Sequence, residues 1–225
     1  MAGGATRNPR NLQVGMDLAA HWNAIYRKLA SEEASWFQRT PTKSIELLRA
    51  YGARTDDAII DVGGGDSRLV DSLLDQGFDR LTVLDVSLAA LSRARKRLGS
   101  RSDSVRWLET DITSADLGHE AYDIWHDRAV FHFLVDVAQR RRYVATAANA
   151  LRADGSLIVA TFAPDGPTES SGLEVRRYTP ELLASEFGQA FSYVHGLSDT
   201  HRTPQGDHQS FSFAVLRRRR QEGRG

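Results

Sequence analysis

The chain has 225 residues, 41% hydrophobic and 26% charged, with 29 Lys+Arg balanced by 29 Asp+Glu. That length suits one medium-sized α/β domain, and the zero balance gives no overall electrostatic pull toward nucleic acid or an anionic membrane. With no cysteine there is no disulfide, thiolate nucleophile or thiolate metal site, and no apolar run approaches the ~20 residues that span a bilayer.

In chain order, residues 1–16 are rich in Gly, Asn, Arg and Pro and read as a loose arm. The opening MAGGATRNPRNLQVG lacks the apolar core of a signal peptide, so a cytoplasmic location is expected. Residues 17–52 read as a helical cap. His21, Trp22 and Tyr26 recur at roughly helical spacing, and Trp36 and Phe37 follow in a loop. Thr40-Pro41 reads as the cap and first turn of a second helix ending near Gly52.

Strand patterns come next, at 58–63, 80–86, 105–111, 121–127 and 156–162. Most are short apolar runs without clean alternation, as parallel strands buried on both faces require. Helical patterns fill the gaps. SRLVDSLLDQG puts Leu69, Val70, Leu73 and Leu74 on one face and stops at Gly77. SLAALSRARKRLG has Ser87 as N-cap and Gly99 as stop. A longer pattern from Val137 ends at a turn with Gly155.

The end of the chain differs. Thr179 and Pro180 open a helix that ends before Gly188. The strands 191–202 and 208–218 are too close in sequence for a parallel crossover, so they form an antiparallel hairpin. The run RRRRQEGRG, residues 217–225, reads as a solvated basic tail. The expected fold is an α/β doubly wound sheet of seven strands, five parallel plus a C-terminal antiparallel hairpin, with helices on both faces. Residues 17–216 form its single domain.

The stretch IIDVGGGDSRLVDSL carries three consecutive glycines between a strand and a helix. Gly63, Gly64 and Gly65 bare the backbone for a close-lying ligand, and the helix that follows offers free N–H groups to a negative group. An ordinary tight strand–helix turn gives the same pattern. Asp85 ends the second strand, 22 residues after Gly63, where a carboxylate can accept from a ribose diol. Asp61, Asp85 and Asp111 together mark the carboxyl ends of three consecutive strands, the edge where open α/β sheets bind ligands.

Asp61-Val-Gly-Gly-Gly-Asp-Ser67 resembles the first motif, D/E-x-G-x-G-x-G, of the class I S-adenosylmethionine-dependent methyltransferases, with Ser67 at the third glycine. Five parallel strands followed by an antiparallel hairpin also match that family. ALRADGSLIVATFA resembles its L-x-P-G-G-x-L segment, with Ala153-Asp154-Gly155 in place of Pro-Gly-Gly. The resemblance implies S-adenosylmethionine as cofactor, held by Asp61, Gly63, Gly64, Gly65, Asp85, Val86, Asp111, Ile112 and Asp127. Asp111 would take the adenine amine and Ile112 would pack on the ring. A turn-forming Asp before Thr113 is the plainer reading of Asp111.

A methyl on a positively charged sulfur is already activated, so the protein mainly has to aim an acceptor lone pair and exclude water. His126 and Asp127 are the expected catalytic pair, with His132 a second proton acceptor. Trp36, Phe37, Arg128, Arg176 and Tyr178 are the expected substrate residues, the arginines for a carboxylate or other anion. No spacing supports a metal site, and none is expected. The W-x-x-x-Y … S-W-F-x-x-x-P opening resembles a branch that includes small-molecule enzymes and relatives of protein-lysine methyltransferases. The expected acceptor is a small molecule, and the alternative is a protein side chain. No nucleic-acid or membrane partner is expected. A nicotinamide-dependent oxidoreductase would share Gly63, Gly65 and Asp85 but would not need Asp111 or the final hairpin. A non-catalytic cofactor-binding protein descended from an enzyme is the other alternative, and the intact glycines and strand-end acids argue against it.

Overall fold

The structure is a computed structural model that describes residues 16–220. The expected arm, apart from Met16, and the last five residues of the expected tail lie outside the described residues. The cap is a helix α1 (Leu18–Lys28), a short 3-10 turn and a helix α2 (Thr42–Ala50). Strands β1 (Ile59–Val62), β2 (Leu81–Asp85), β3 (Val105–Glu109) and β4 (Tyr122–Arg128) then alternate with helices α3 (Leu69–Asp75) and α4 (Leu88–Leu98). Helix α5 (Val137–Ala150) leads into β5 (Leu151–Phe162). A two-stranded ribbon, β6 (Glu169–Ser170) and β7 (Leu173–Glu174), precedes α6 (Pro180–Ser185), and β8 (Phe191–Arg202) and β9 (His208–Arg218) close the chain.

The seven-stranded sheet runs β3-β2-β1-β4-β5-β9-β8. The first five strands are parallel, and β9 and β8 are antiparallel. The order reverses between β1 and β4, which sets a crevice at the carboxyl edge there. Residues of β1 alternate between two cores. Ile60 and Val62 face Trp125, Tyr143 and Leu183 on the α5–α6 side. Ile59 faces Leu47, Leu69 and Leu91 on the side of α2, α3 and α4.

Caps set several boundaries. Ser87 Oγ accepts from Ala90 N at the start of α4, and Thr179 Oγ1 accepts from Leu182 N at the start of α6. Gly99 ends α4 at φ 59°. Two boundaries differ from expectation. Helix α2 takes Pro41, not Thr40, as its N-cap residue. Helix α5 stops at Ala150, and the turn at Gly155 is a bulge inside β5: Tyr122 pairs with Leu151 but Ile124 pairs with Ser156, and Asp154 sits at φ 63°. The loop expected between β5 and α6 is partly ordered by β6 and β7.

The boundary drawn at 217 falls inside β9. Arg217 donates to Asp154 O and Tyr51 O, Arg218 to Ala148 O, and Arg220 pairs with Asp154. The described part of the basic run is therefore strapped to the end of the sheet, because unpaired carbonyls there accept from it.

Between β4 and α5 lies a buried polar chain. Trp125 Nε1 donates to Tyr143 Oη over 2.8 Å, and Tyr143 Oη donates to Asp127 Oδ2 over 2.5 Å. Tyr143→Phe orphans the indole N–H and removes one donor from a buried carboxylate. Each orphaned group costs about 1–3 kcal/mol, read as a shift of the urea midpoint at constant m. A change within error of zero would show that the chain does not stabilise the fold.

Candidate active site

The glycine turn leaves β1 with Gly63 at φ 67° and Gly65 at φ 49°, conformations that suit a residue without Cβ. Space matters as much as conformation. A Cβ on Gly63 would collide with Val130 Cγ2, and one on Gly64 would lie 2.5 Å from Asp61 Oδ2. On Gly65 it would lie 2.7 Å from Tyr26 Oη and 3.1 Å from Asp85 Oδ2. The backbone N–H groups of Gly63 and Gly64 both donate to Leu84 O, which stitches the turn to β2. Gly63 and Gly64 line the cavity at this edge, whereas Gly65 lies beside Tyr26 and outside its lining.

Four carboxylates meet here. Asp61 lies one residue inside β1, and its Oδ1 accepts from His126 Nδ1 over 2.7 Å. His126 Nε2 in turn lies 2.9 Å from Ser44 Oγ of α2. All three residues are buried, so the chain Asp61–His126–Ser44 ties the cap helix to the middle of the sheet. Asp66, in the glycine turn, accepts from Ser31 and stands 3.8 Å from Arg93. Asp85 accepts from the backbone N–H of Ser87 through Oδ1. Its carboxyl is pushed up to about 7 by burial, opposed by that N–H and reinforced by the Asp61 and Asp66 charges. Asp111 Oδ1 accepts from both Thr113 N and Thr113 Oγ1, so the turn-forming reading holds for that oxygen while the residue still lines the cavity. Val86 and Ile112 line it too.

The end of β4 divides its residues. Asp127 points away from the cavity lining and is fully buried, accepting from Tyr143 Oη, Val130 N and Phe131 N. Burial raises its carboxyl to about 6 against those donors. Its three bonds fix the β4–α5 connection, which leaves it remote from both the cofactor and the proton-transfer parts expected of it. Arg128 lines the cavity, with Nη1 3.3 Å from Trp36 O and its guanidinium 4.4 Å over the Phe211 ring. His132, in a 3-10 turn (Phe131–Phe133), also lines it and is buried. Burial, with help from Arg128, pushes its ring down to about 3, so it stays neutral and is a poor base.

The cap roofs this edge. Asn23 Oδ1 of α1 accepts from Ser87 Oγ and Ala89 N, and Arg93 donates to Leu29 O. Trp22, Tyr26, Trp36 and Phe133 form an edge-to-face cluster, with Trp22 5.2 Å from Phe133 and 6.0 Å from Trp36. Trp36 and Phe37 line the cavity as expected. Arg176 and Tyr178 do not. Arg176 Nε donates to Tyr178 Oη, and that hydroxyl donates to Glu186, so the pair ties the post-β5 loop to the end of α6. Sequence reasoning missed Ser44, Asn23 and Asp66. Asp66 stood in the glycine motif itself, but the other two carry no signal, because their partners are distant in the chain.

These residues fit a nucleoside cofactor. The turn is bare of side chains, and Asp85 Oδ2 and Asp111 supply acceptors for hydroxyl and amine donors. Among the described residues no group of three or more His, Cys, Asp or Glu is placed to hold a metal ion, and no helix is long and apolar enough to cross a membrane.

Comparison with known proteins gives the same picture. Residues 60–157 match the family model described as a methyltransferase domain. An "eEF1A lysine and N-terminal methyltransferase" of Danio rerio is 23% identical over 150 residues, 65% of this chain and 21% of that protein. An uncharacterised methyltransferase of Mycobacterium bovis is 29% identical over 116 residues, 52% of this chain and 56% of that one. The chain thus covers less than two thirds of the length of either curated relative. Among solved structures, one from work on the conversion of a disulfide bond into a thioacetal group during echinomycin biosynthesis superposes with a TM-score of 0.74 at 17% identity. It covers 90% of this chain and 92% of that one. The N-methyltransferase NodS of Bradyrhizobium japonicum, in complex with S-adenosyl-L-homocysteine, superposes at 0.64 with 18% identity, covering 88% and 98%.

An ionised carboxylate accepts from a diol more strongly than a protonated carboxyl, which keeps one carbonyl oxygen as acceptor and adds a donor. If Asp85 takes a ribose diol, its raised value predicts that S-adenosylhomocysteine binds progressively more weakly as pH falls through 7, by at most about tenfold per pH unit. Calorimetry from pH 8 to 6 checks this, and Asp85→Asn should flatten the profile. A wild-type affinity that does not change over that range would refute it.

Proposed function

We propose that the chain is a class I S-adenosylmethionine-dependent methyltransferase that transfers the methyl group to a small-molecule acceptor, a reading supported by the methyltransferase-domain match over 60–157 and the shared fold. The observation that carries this reading is the cavity itself. Asp85 and Asp111 share one roofed space with Trp36, Phe37 and Arg128, walled by aromatic rings from the cap and from β9. A roofed aromatic chamber suits a compact molecule better than a side chain on a folded protein.

In this proposal Asp61, Gly63, Gly64, Asp85, Val86, Asp111 and Ile112 form the cofactor half, and Gly65 shapes the turn behind them. Asp85 accepts from the ribose diol, Asp111 from the adenine amine, and Ile112 packs on the base. The bound cofactor supplies an activated methyl on a positively charged sulfur. The chain supplies orientation and dryness: the Trp22–Tyr26–Trp36 cluster excludes water, and its ring faces favour a cation. His126 and Asp127 take positioning parts. His126 has both ring nitrogens engaged with Asp61 and Ser44, and Asp127 fastens β4 to α5. We assign residues 17–218, through the end of β9, to one domain with 17–52 as its cap, and a cytoplasmic location.

A protein-lysine acceptor is the second reading, favoured by the similarity to the eEF1A lysine and N-terminal methyltransferases. Incubation with radiolabelled S-adenosylmethionine and a cell extract, followed by size fractionation, separates the two. Label should appear among small metabolites, and label confined to protein would overturn the first reading. Asp85→Ala should weaken cofactor binding by about 1–3 kcal/mol while the melting temperature without ligand holds or rises. Unchanged affinity would remove Asp85 from the site.

A further inference from the structure

Three cavity-lining residues carry a buried donor with no partner among the described residues: Arg68 Nε, Arg128 Nη2 and His132 Nε2. Arg68 already pairs with Glu32 through Nη2, which leaves Arg128 and His132 as the two without a carboxylate. The tautomer of His132 is set by its other nitrogen, because Nδ1 accepts from the backbone N–H of Phe162 at 3.3 Å. In the neutral ring the proton is therefore on Nε2, which is a donor. Arg128 carries a fixed charge, and among the described residues its only hydrogen bond is the long one to Trp36 O. No carboxylate among the described residues makes an ion pair with it, and Asp199 acts on it only from farther away. Buried donors without acceptors are rare in folded proteins, and a half-buried cation with an inaccessible N–H and no ion pair is rarer still.

The surroundings of the two groups are flat and apolar. The guanidinium lies over Phe211, His132 packs 4.7 Å from Phe162 and 4.5 Å from Phe133, and Trp36 closes the side toward the cap. We propose that Arg128 Nη2 and His132 Nε2 form the receptor for a carboxylate on a planar aromatic acceptor. A carboxylate offers both donors an oxygen and neutralises the arginine, and the rings pack on the body of the molecule. This rests on the methyltransferase reading and narrows its substrate class to aromatic acids.

The test uses the full chain saturated with S-adenosylhomocysteine. Its binding is measured first, and failure there would sink the methyltransferase reading itself. Calorimetry then compares 4-hydroxybenzoate with its neutral analogue 4-hydroxybenzamide. The acid should bind and the amide should be at least about tenfold weaker. Arg128→Gln should abolish the difference while S-adenosylhomocysteine affinity stays within about twofold. Equal binding of acid and amide, or no binding of either, overturns the inference. So does an Arg128→Gln variant that loses S-adenosylhomocysteine affinity, because the arginine would then serve the cofactor's own carboxylate. Should that variant fail to fold, the wild-type comparison decides alone.

Discussion

Buried negative charge at the sheet's carboxyl edge is the constraint from which the rest of this structure follows. Asp61, Asp66 and Asp85 are all under a tenth exposed and feel one another's fields. Like charges so placed must each find a partner or give up ionisation. Asp61 takes His126, Asp66 takes Ser31 with Arg93 nearby, and Asp85, left with backbone N–H groups alone, shows the raised value. The group with the fewest partners is thus the one with an oxygen to spare for a ligand. Asp66 is quieted from the cap and from α4, and Asp61 from β4, where the cap's Ser44 holds His126 in place.

The cap is accordingly part of the electrostatics as well as a roof. Ser44 completes the chain from Asp61, Ser31 satisfies Asp66, and Asn23 holds Ser87 and Ala89 directly beyond Asp85. Each of these bonds joins residues 35 or more positions apart. Local propensity says nothing about such pairs. Period and turn chemistry, by contrast, are local. The seven long strands, the helix caps at Ser87 and Thr179 and the final hairpin all lay within a residue or two of their expected places, except where β5 begins early.

The candidate site was legible in the same uneven way. Glycines and strand-end acids announce themselves because their spacing follows from β–turn–α geometry, so Gly63, Gly64, Asp85 and Asp111 could be placed in one cavity from pattern alone. Residues whose part depends on the face they present could not. His126 and Asp127 are adjacent in β4 and therefore point to opposite faces. One meets α2 and the other meets α5, and neither packing partner is readable from the residues around it. Arg176 and Tyr178 looked like ligand groups because they sit in a long loop, but Glu186 of the following segment draws them away.

Two arginines in this fold show what a structural guanidinium looks like and what an unfinished one looks like. Arg140 is buried, and its donors meet the Glu186 carboxylate and the carbonyls of Leu134 and Val135 at 2.9–3.0 Å. Nothing about it asks for a ligand. Arg128 has a single carbonyl at 3.3 Å, an aromatic face and an orphaned Nη2, and burial lowers its pKa to about 10. Packing alone gives no reason to keep a charge there, since an apolar side chain of similar volume would fill the same space at lower cost. On the proposal made above, the reason lies in what the cavity takes in, and the partner is an acceptor, because Nη2 and the neighbouring His132 Nε2 both donate.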